Sequence, residues 1–237
     1  MDDLSRRMWL LASAALFAGF ADRRTAHAQS PSRVQREVSG FDAVSWEASG
    51  ELFISQGAHE GLAIEAEPSV IDRVVAQVAH RRLRIGFRGS VQSQQPIRFW
   101  LDVRSLVELE SRSSGVVNVG PLDTTALAVR SSGSELIEFV RLQARTLDVR
   151  LDGAGEIRIA AGAVERQKVV IAGAATYRAS ALESRQADVA IEGSGEVRLA
   201  VAERLAARIA GSGDVVYRGN PQVSRSVTGA GEIRRES

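Results

Sequence analysis

The amino-acid sequence predicts an all-β fold, a right-handed parallel β-helix-like solenoid with coils of roughly 20 residues and an N-terminal β cap. Three observations lead to this prediction. Small-residue triplets recur along the second half of the chain, apolar and polar residues alternate around each triplet, and 44% of the residues are hydrophobic, enough for a buried core. We therefore expect one domain over residues 37–236, with its repeats clearest over residues 111–235.

The triplets mark the corners of the predicted coils. Their last residues fall at positions 115, 133, 155, 175, 195, 213 and 231, in steps of 18, 22, 20, 20, 18 and 18 residues. Small residues let the backbone bend, adopt positive φ and lie close to the corner of the next coil. The clearest triplets are Gly153-Ala154-Gly155, Gly193-Ser194-Gly195, Gly211-Ser212-Gly213 and Gly229-Ala230-Gly231.

The residues that flank each triplet predict β-strands. Leu147, Val149 and Leu151 precede one triplet, and Ile157 and Ile159 follow it, with polar residues between them. A period of two places the apolar side chains on one face of a strand. Because a unit of about 20 residues cannot bury this face alone, successive units must stack on one another. A conventional β-sandwich is the alternative that fits the same alternation.

The first part of the chain predicts further strands, which would cap the first coil and protect its edge from pairing. Pro68 and the apolar spacing of the residues after it predict one short helix over residues 69–79. The predicted strands cover residues 41–44, 51–54, 62–66, 82–86 and 97–103.

Residues 1–28 have the layout of a signal peptide. Arg6 and Arg7 form a charged start, residues 8–21 are apolar, and Ala28 ends a small-residue cleavage site. The apolar run of 14 residues would span about 21 Å as a helix, less than the roughly 30 Å hydrocarbon core of a bilayer, so we expect no permanent membrane span. We predict cleavage after Ala28 and a flexible leader over residues 29–36.

Two pairs of arginines indicate the export route. Residues 5–11 resemble the twin-arginine export motif, and the second pair, Arg23 and Arg24 just before the cleavage site, is tolerated better by that route than by the general secretory route. A general secretory signal with coincidental arginines is the alternative. Both routes predict a protein that is periplasmic, secreted or on the cell surface.

Composition excludes several classes of function. Without the first 28 residues, which hold four Arg and three Asp, the chain has 26 basic and 26 acidic residues. This balance provides no basic patch, so we expect no nucleic-acid partner. The absence of cysteine excludes disulfides, thiolate metal sites and thiol nucleophiles. The aromatic content of 5% argues against a carbohydrate-processing cleft lined with stacking rings.

Several motifs resemble a known family. They are Phe41-Asp42-Ala43-Val44, residues 53–57, Leu83-Arg84-Ile85-Gly86, the repeated Gly-Ser-Gly-Asp/Glu corners, and residues 211–221 followed by a last Gly-Ala-Gly-Glu corner. Over residues 41–235 the chain resembles the putative auto-transporter adhesin, head GIN domain family of exported bacterial proteins. The resemblance implies a β-helix-like fold in the envelope or outside the cell, with an adhesive or scaffold role. The family offers no catalytic residues to carry over.

Stacked coils would place charged side chains in two outward columns. Rungs of a stacked sheet lie about 4.8 Å apart, so an acidic column and a basic column on one face would compensate each other. One interpretation is a solvated, mutually neutralised ladder; the other is a striped surface that binds a charged or hydroxyl-rich polymer, or a divalent cation through the acidic column. The acidic column is Glu156, Glu196, Asp214 and Glu232, and the basic column is Arg158, Arg178, Arg198 and Arg234.

The sequence singles out no catalytic residues, no cofactor and no metal site. No carboxylate pair stands out, and His59 and His80 are each isolated in the sequence. We therefore predict an exported non-enzymatic β-solenoid for adhesion, envelope binding or scaffolding, with a surface polysaccharide or an envelope protein as its partner. The alternatives are a β-helix carbohydrate-active enzyme, either a lyase or a hydrolase, and a periplasmic accessory or sensor protein. The oligomeric state is left open.

Overall fold

Residues 31–236 are described by a computed structural model, in which they form a β-solenoid of about six turns with coils of about 20 residues. This architecture confirms the predicted fold class. One short helix, α1 (Pro68–Ile71), lies near the N-terminal end. The strands are β1 (Ser32–Arg36), β2 (Ala43–Trp46), β3 (Glu51–Gln56), β4 (Gly61–Ala66), β5 (Val74–Ala79), β6 (Arg82–Phe87), β7 (Arg98–Val103), β8 (Glu108–Ser111), β9 (Val116–Ser131), β10 (Leu136–Leu151), β11 (Glu156–Ile159), β12 (Gly162–Gly173), β13 (Thr176–Gly193), β14 (Glu196–Gly211), β15 (Asp214–Arg218), β16 (Gln222–Gly229) and β17 (Glu232–Arg235).

Each strand of the repeat region pairs in parallel with the strand one coil away. Leu136 of β10 lies opposite Val116 of β9 on one side and opposite Glu156 of β11 on the other. The last coils are shorter, so that Asp214 of β15 lies opposite Glu196 of β14. Because this register is kept, the inward-facing side chains of one coil stack on those of the next.

The hydrophobic core consists of these inward-facing columns. Ile137, Ile157, Tyr177 and Val197 occupy one column, and each is fully buried. Full burial of a large apolar side chain contributes roughly 1.5–3 kcal/mol relative to leaving it exposed. The same core extends from the first strands of the solenoid to Ile233 in the last coil.

The corners of successive coils lie in hydrogen-bond contact with each other. The N–H groups of Ser194 and Ser212 donate to the carbonyl oxygens of Gly173 and Gly193, both at 2.9 Å. Gly193 has a φ of +132°, and a β-carbon at this position would lie 2.5 Å from the carbonyl oxygen of Gly173. Both the backbone conformation and the close approach of the coils therefore require glycine here.

One corner departs from the predicted spacing. The sequence predicts Gly133 as the last residue of its triplet, but the N–H of Glu156 donates to the carbonyl oxygen of Glu135 at 2.9 Å, so Glu135 occupies that position. Gly133 instead takes the first corner position, where its carbonyl oxygen accepts from the N–H of Ala154 at 3.1 Å. The long strands on either side determine this register, because their ladder bonds outnumber those of the corner.

The predicted flexible leader is wrong over most of its length. Ser32–Arg36 form β1, which pairs antiparallel with β4. Val34 packs against the core, and the guanidinium carbon of Arg33 lies 4.3 Å from the centre of the Trp100 ring, a cation–π contact. The β domain therefore includes Ser32–Arg36, ahead of its predicted start at residue 37. The edge of β4 holds this polar segment, which has little apolar pattern of its own.

The predicted helix over residues 69–79 is limited to its first turn. Val74–Ala79 form β5, which pairs antiparallel with β6 through a tight turn at His80 and Arg81, both with positive φ. Residues 74, 75 and 78 are valines, whose β-branched side chains favour strands. The sequence of this segment is compatible with both a helix and a strand, and pairing with β6 determines that it forms a strand.

The N-terminal segment both begins and caps the solenoid. Strands β2 and β3 pair in parallel with β8 and β9 and so belong to the stack of coils, whereas β1, β4 and β5 pair antiparallel. Gln56 joins this segment to the repeat, because its side-chain amide accepts from the N–H of Asp123 at 2.8 Å and donates to the carbonyl oxygen of Asp123 at 3.0 Å.

The predicted signal peptide and its cleavage site at Ala28 lie outside the described residues. Within residues 31–236, the structure has no helix long and apolar enough to cross a membrane.

Replacing Gly193 with Ala should destabilise the domain by about 2 kcal/mol or more, because the β-carbon meets the neighbouring coil and the φ is unfavourable. Gly57→Ala is the matched control, since Gly57 has ordinary φ and open space around its Cα. Free energies of unfolding from urea titration measure both changes. Equal effects of the two substitutions would contradict the close contact of the corners.

Candidate functional site

The acidic residues singled out in the sequence lie in one outward column, immediately after the corner. In successive coils the column contains Glu156, Thr176, Glu196, Asp214 and Glu232. Thr176 separates the first two acids, while the last three occupy adjacent rungs. The repulsion between these neighbouring carboxylates is partly offset by a hydrogen bond, in which Oδ1 of Asp214 accepts from the backbone N–H of Glu232 at 3.0 Å.

The basic residues form a second outward column, two positions further along each coil. Arg158, Arg178 and Arg198 occupy adjacent rungs, followed by Val216 and then Arg234. Val216 is only 3% exposed although its position is outward. The basic column is therefore interrupted before its last member.

Ion pairs within and between coils neutralise most of this charged surface. Nε of Arg158 lies 2.7 Å from Oε1 of Glu156, and its Nη1 lies 3.2 Å from Oε1 of Glu138. The hydrogen bond to Glu156 raises the pKa of Arg158 above its ordinary value. Three further pairs are Arg178 with Glu156 at 3.3 Å, Arg198 with Glu196 at 2.6 Å and Arg234 with Glu232 at 3.7 Å. Solvent screens these exposed pairs.

A groove runs along a bend of the solenoid across five coils, with a volume of about 460 Å³; we call it the bend groove. Its floor is a single column that contains Thr124, Ala144, Val164 and Ser184 in successive coils. The last three are buried. Small side chains on the floor, flanked by longer ones, produce the concave shape.

Two columns of outward-facing residues form the walls of the bend groove. The first wall contains Asp123, Gln143, Ala163 and Glu183 on adjacent rungs. The second wall contains Thr125, Arg145, Glu165 and Arg185, each at the position where the strand pairing is interrupted between two paired residues. Charged, amide and hydroxyl groups therefore face the groove along its length.

Only some of the wall charges are already compensated. Nε of Arg185 lies 2.9 Å from Oε1 of Glu203, and this hydrogen bond, together with the charges of Glu203 and Glu165, raises the pKa of Arg185. Within residues 31–236, Asp123, Arg145 and Glu183 form no ion pair. These three side chains are available to a ligand.

A buried hydrogen-bond network supports the groove floor. Oγ of Ser184 accepts from Nε2 of Gln167 at 2.8 Å and donates to the carbonyl oxygen of Ala200 at 2.6 Å. The hydroxyl of Tyr177 donates to Oε1 of Gln167 at 2.9 Å. Burial raises the pKa of Tyr177. The strand register shifts on both sides of Ser184, so this network fixes the floor at an irregular point of the sheet.

His59 and His80 do not line the bend groove. His59 and His80 are both exposed, and His80 forms part of the tight turn between β5 and β6. In the part of the chain that the structure describes, no group of three or more His, Cys, Asp or Glu side chains is arranged to hold a metal ion.

The bend groove was not predicted from the sequence, although its wall residues recur there at a regular interval. Residues 123, 143, 163 and 183 recur at intervals of 20, but only one of them, Ala163, follows a glycine, and they form no motif. Their common position becomes visible only when the corner register is known. The misplaced corner at Gly133 obscured that register in the first coils.

The fold and its outer surface define a class of protein, a β-solenoid with charged columns and a polar groove. The chain belongs to the family described as "Putative auto-transporter adhesin, head GIN domain", whose model matches residues 40–221. This match confirms the resemblance seen in the sequence. No curated protein matches the chain.

Solved structures share the fold at low sequence identity. A putative adhesin from Bacteroides fragilis is 19% identical, with a TM-score of 0.82 over 87% of this chain and 97% of that one. A putative lipid binding protein from Parabacteroides distasonis is 22% identical, with a TM-score of 0.69 over 88% and 97%. A putative adhesin from Parabacteroides merdae is 18% identical, also with a TM-score of 0.69 over 88% and 97%.

Gln167→Leu would place a leucine next to Leu147 in the same inward column. The substitution should nevertheless destabilise the domain by about 1–3 kcal/mol, because the buried Tyr177 hydroxyl loses its acceptor. Adding Tyr177→Phe should recover part of this loss, because the orphaned donor is removed. A double-mutant cycle from urea unfolding measures the coupling. Strictly additive effects would contradict the network.

Proposed function

We propose that this chain is an exported, non-enzymatic adhesion module, which holds an extended polar segment of an envelope polysaccharide or protein in the bend groove. The observation that carries the proposal is the continuity of the groove across five coils. Membership of the adhesin-like family supports the adhesive role.

The dimensions of the bend groove suit a segment of a polymer. Five rungs at a spacing of about 4.8 Å give a length of about 19 Å from first to last. An extended peptide of about six residues has this length at roughly 3.3 Å per residue. A ligand bound along the groove would contact every coil it crosses, so its affinity would accumulate over many weak contacts.

The chemistry of the walls favours a polar ligand. Asp123, Arg145 and Glu183 have no ion-pair partner within residues 31–236, and the amide of Gln143 adds both a donor and an acceptor. One structural neighbour is named a putative lipid binding protein. An acyl chain in the bend groove, however, would take these charged groups out of water without satisfying them. We therefore propose a polar segment as the ligand.

The scaffold makes such a groove suitable for adhesion. Main-chain ladders hold the first wall and the residues on either side of the second wall, so the wall residues keep their relative positions without a ligand. Binding to a preorganised surface loses less conformational entropy than binding to a mobile loop. We assign the neutralised charged columns a structural and solubilising role beside the groove.

Export forms the second part of the proposal. Residues 1–28 carry the signal-peptide layout, and the paired arginines favour the twin-arginine route. We propose cleavage after Ala28 and a mature chain that begins at Gln29 in the periplasm or outside the cell. An adhesion module for envelope components requires this location.

A screen of envelope glycans and envelope proteins tests the binding function. Ala163→Phe would fill the first wall of the bend groove and should weaken binding of any ligand found by at least about 10-fold, because the bulky ring blocks the path along the coils. Ala190→Phe is the matched control, since Ala190 is a half-buried, outward-facing alanine elsewhere on the sheet.

Surface plasmon resonance or calorimetry on both variants gives the affinities. Equal loss in the two variants, or no loss in Ala163→Phe, would exclude the bend groove as the binding site. A ligand consisting only of lipid acyl chains would contradict the proposed polar ligand.

Replacing Arg6 and Arg7 together with Lys should block export and leave the full-length chain in the cytoplasm, because the twin-arginine route depends on the guanidinium pair. Cell fractionation and intact-mass measurement give the location and the N-terminus. Normal export of the variant, trimmed after Ala28, would show that the general secretory route is used instead.

A further inference from the structure

One place inside the solenoid departs from the apolar pattern of its columns. Ser111 and Ser131 follow Trp46 in an inward column and are 0% and 3% exposed. In the next coils the same column contains Leu151 and Ile171. Two serines therefore replace large apolar side chains in two successive coils.

A buried carboxylate lies at the corner next to these serines. Glu135 is 1% exposed, and neither of its carboxylate oxygens has a hydrogen-bond partner among the described residues. The equivalent corner position is Gly155 in the next coil and Ala175 in the one after it. The indole N–H of Trp46, in the serine column, also has no partner within residues 31–236.

One carbonyl oxygen lies close to the Glu135 carboxylate, and serine hydroxyls lie at the same pair of corners. A β-carbon at Gly133 would collide with both Oε2 of Glu135 and the carbonyl oxygen of Ser113, so these two oxygens are close neighbours. Oγ of Ser113 lies 3.5 Å from Oγ of Ser111. A β-carbon at Gly155 would lie 2.8 Å from the carbonyl oxygen of Glu135 and 3.2 Å from Oγ of Ser131.

No positive charge compensates this carboxylate within residues 31–236. None of the ion pairs formed by arginine, lysine or histidine there involves Glu135, whereas Glu138, three residues further along, pairs with Arg158. A buried carboxylate without a partner is unfavourable, and native proteins pair such groups or use them to coordinate metals. A positively charged occupant would compensate this carboxylate.

We propose that Glu135, with the serine oxygens around it, binds a hard cation of the calcium or sodium type. Carboxylate, carbonyl and hydroxyl oxygens are the ligands that such cations prefer. The site lies at the first corners of the repeat, where the coils that contain Ser113 and Glu135 meet. Cation binding would stabilise this junction, in addition to any binding in the bend groove.

Thermal unfolding of the purified chain in chelator-treated, sodium-free buffer tests the site. Calcium chloride or sodium chloride at 100 times its dissociation constant should raise the Tm by about 5–10 °C. Glu135→Gln should abolish the shift. Glu138→Gln is the matched control, because Glu138 is an outward-facing glutamate three residues further along, in β10, and should leave the shift intact.

Glu135→Ala provides a second variant, because Ala175 shows that the corner accommodates alanine. In cation-free buffer this variant should melt at a higher temperature than the natural chain, since it removes an uncompensated buried charge, and added cation should not change its Tm. A natural chain whose Tm responds to neither cation would overturn the proposal. So would a Tm shift of equal size in the Glu135 variants.

Discussion

Main-chain hydrogen bonds that continue from coil to coil around the corners are the constraint on which this structure depends. In most β folds a turn is free to separate from its neighbours, but here the N–H of Ala174 donates to the carbonyl oxygen of Gly153, and the N–H of Ser194 to that of Gly173. Corners held at ladder distance leave no space for a β-carbon at positions such as Gly211. The recurrence of glycine in the sequence is therefore a direct consequence of coil stacking.

The same hydrogen bonding aligns equivalent residues of successive coils into continuous columns. Because register is kept across the coils, residues repeated at intervals of 20 stack in a column, with a spacing of about 4.8 Å between neighbours. Such a column is buried at Ile157 and exposed at Arg158. The bend groove consists of three such columns and needs no loop insertion. A single polar residue inside the stack must in turn find its partners among neighbouring coils, as Gln167 does. The Glu135 carboxylate finds none among the described residues.

Much of this fold could be predicted from the sequence, because period-two alternation and glycine corners are local signals. Less could be predicted where pairing with a distant strand determines the secondary structure. Ser32–Arg36 form a strand only because β4 offers an edge, and Val74–Ala79 are compatible with a helix until β6 provides a partner. At Gly133 the local motif and the strand register disagreed, and the register determined the structure. The bend groove and the buried Glu135 depend on that register, so both were missed.

The coil-to-coil bonding at the corners is tested most directly by hydrogen exchange of the corner amides, measured residue by residue by NMR. The account predicts that the N–H groups of Ala154, Ala174, Ser194 and Ser212 exchange as slowly as those of the central strands, since each donates to the preceding coil. Exchange at the rate of exposed turns, beside protected strands, would show that the corners are not bonded to one another and would contradict the stacked solenoid.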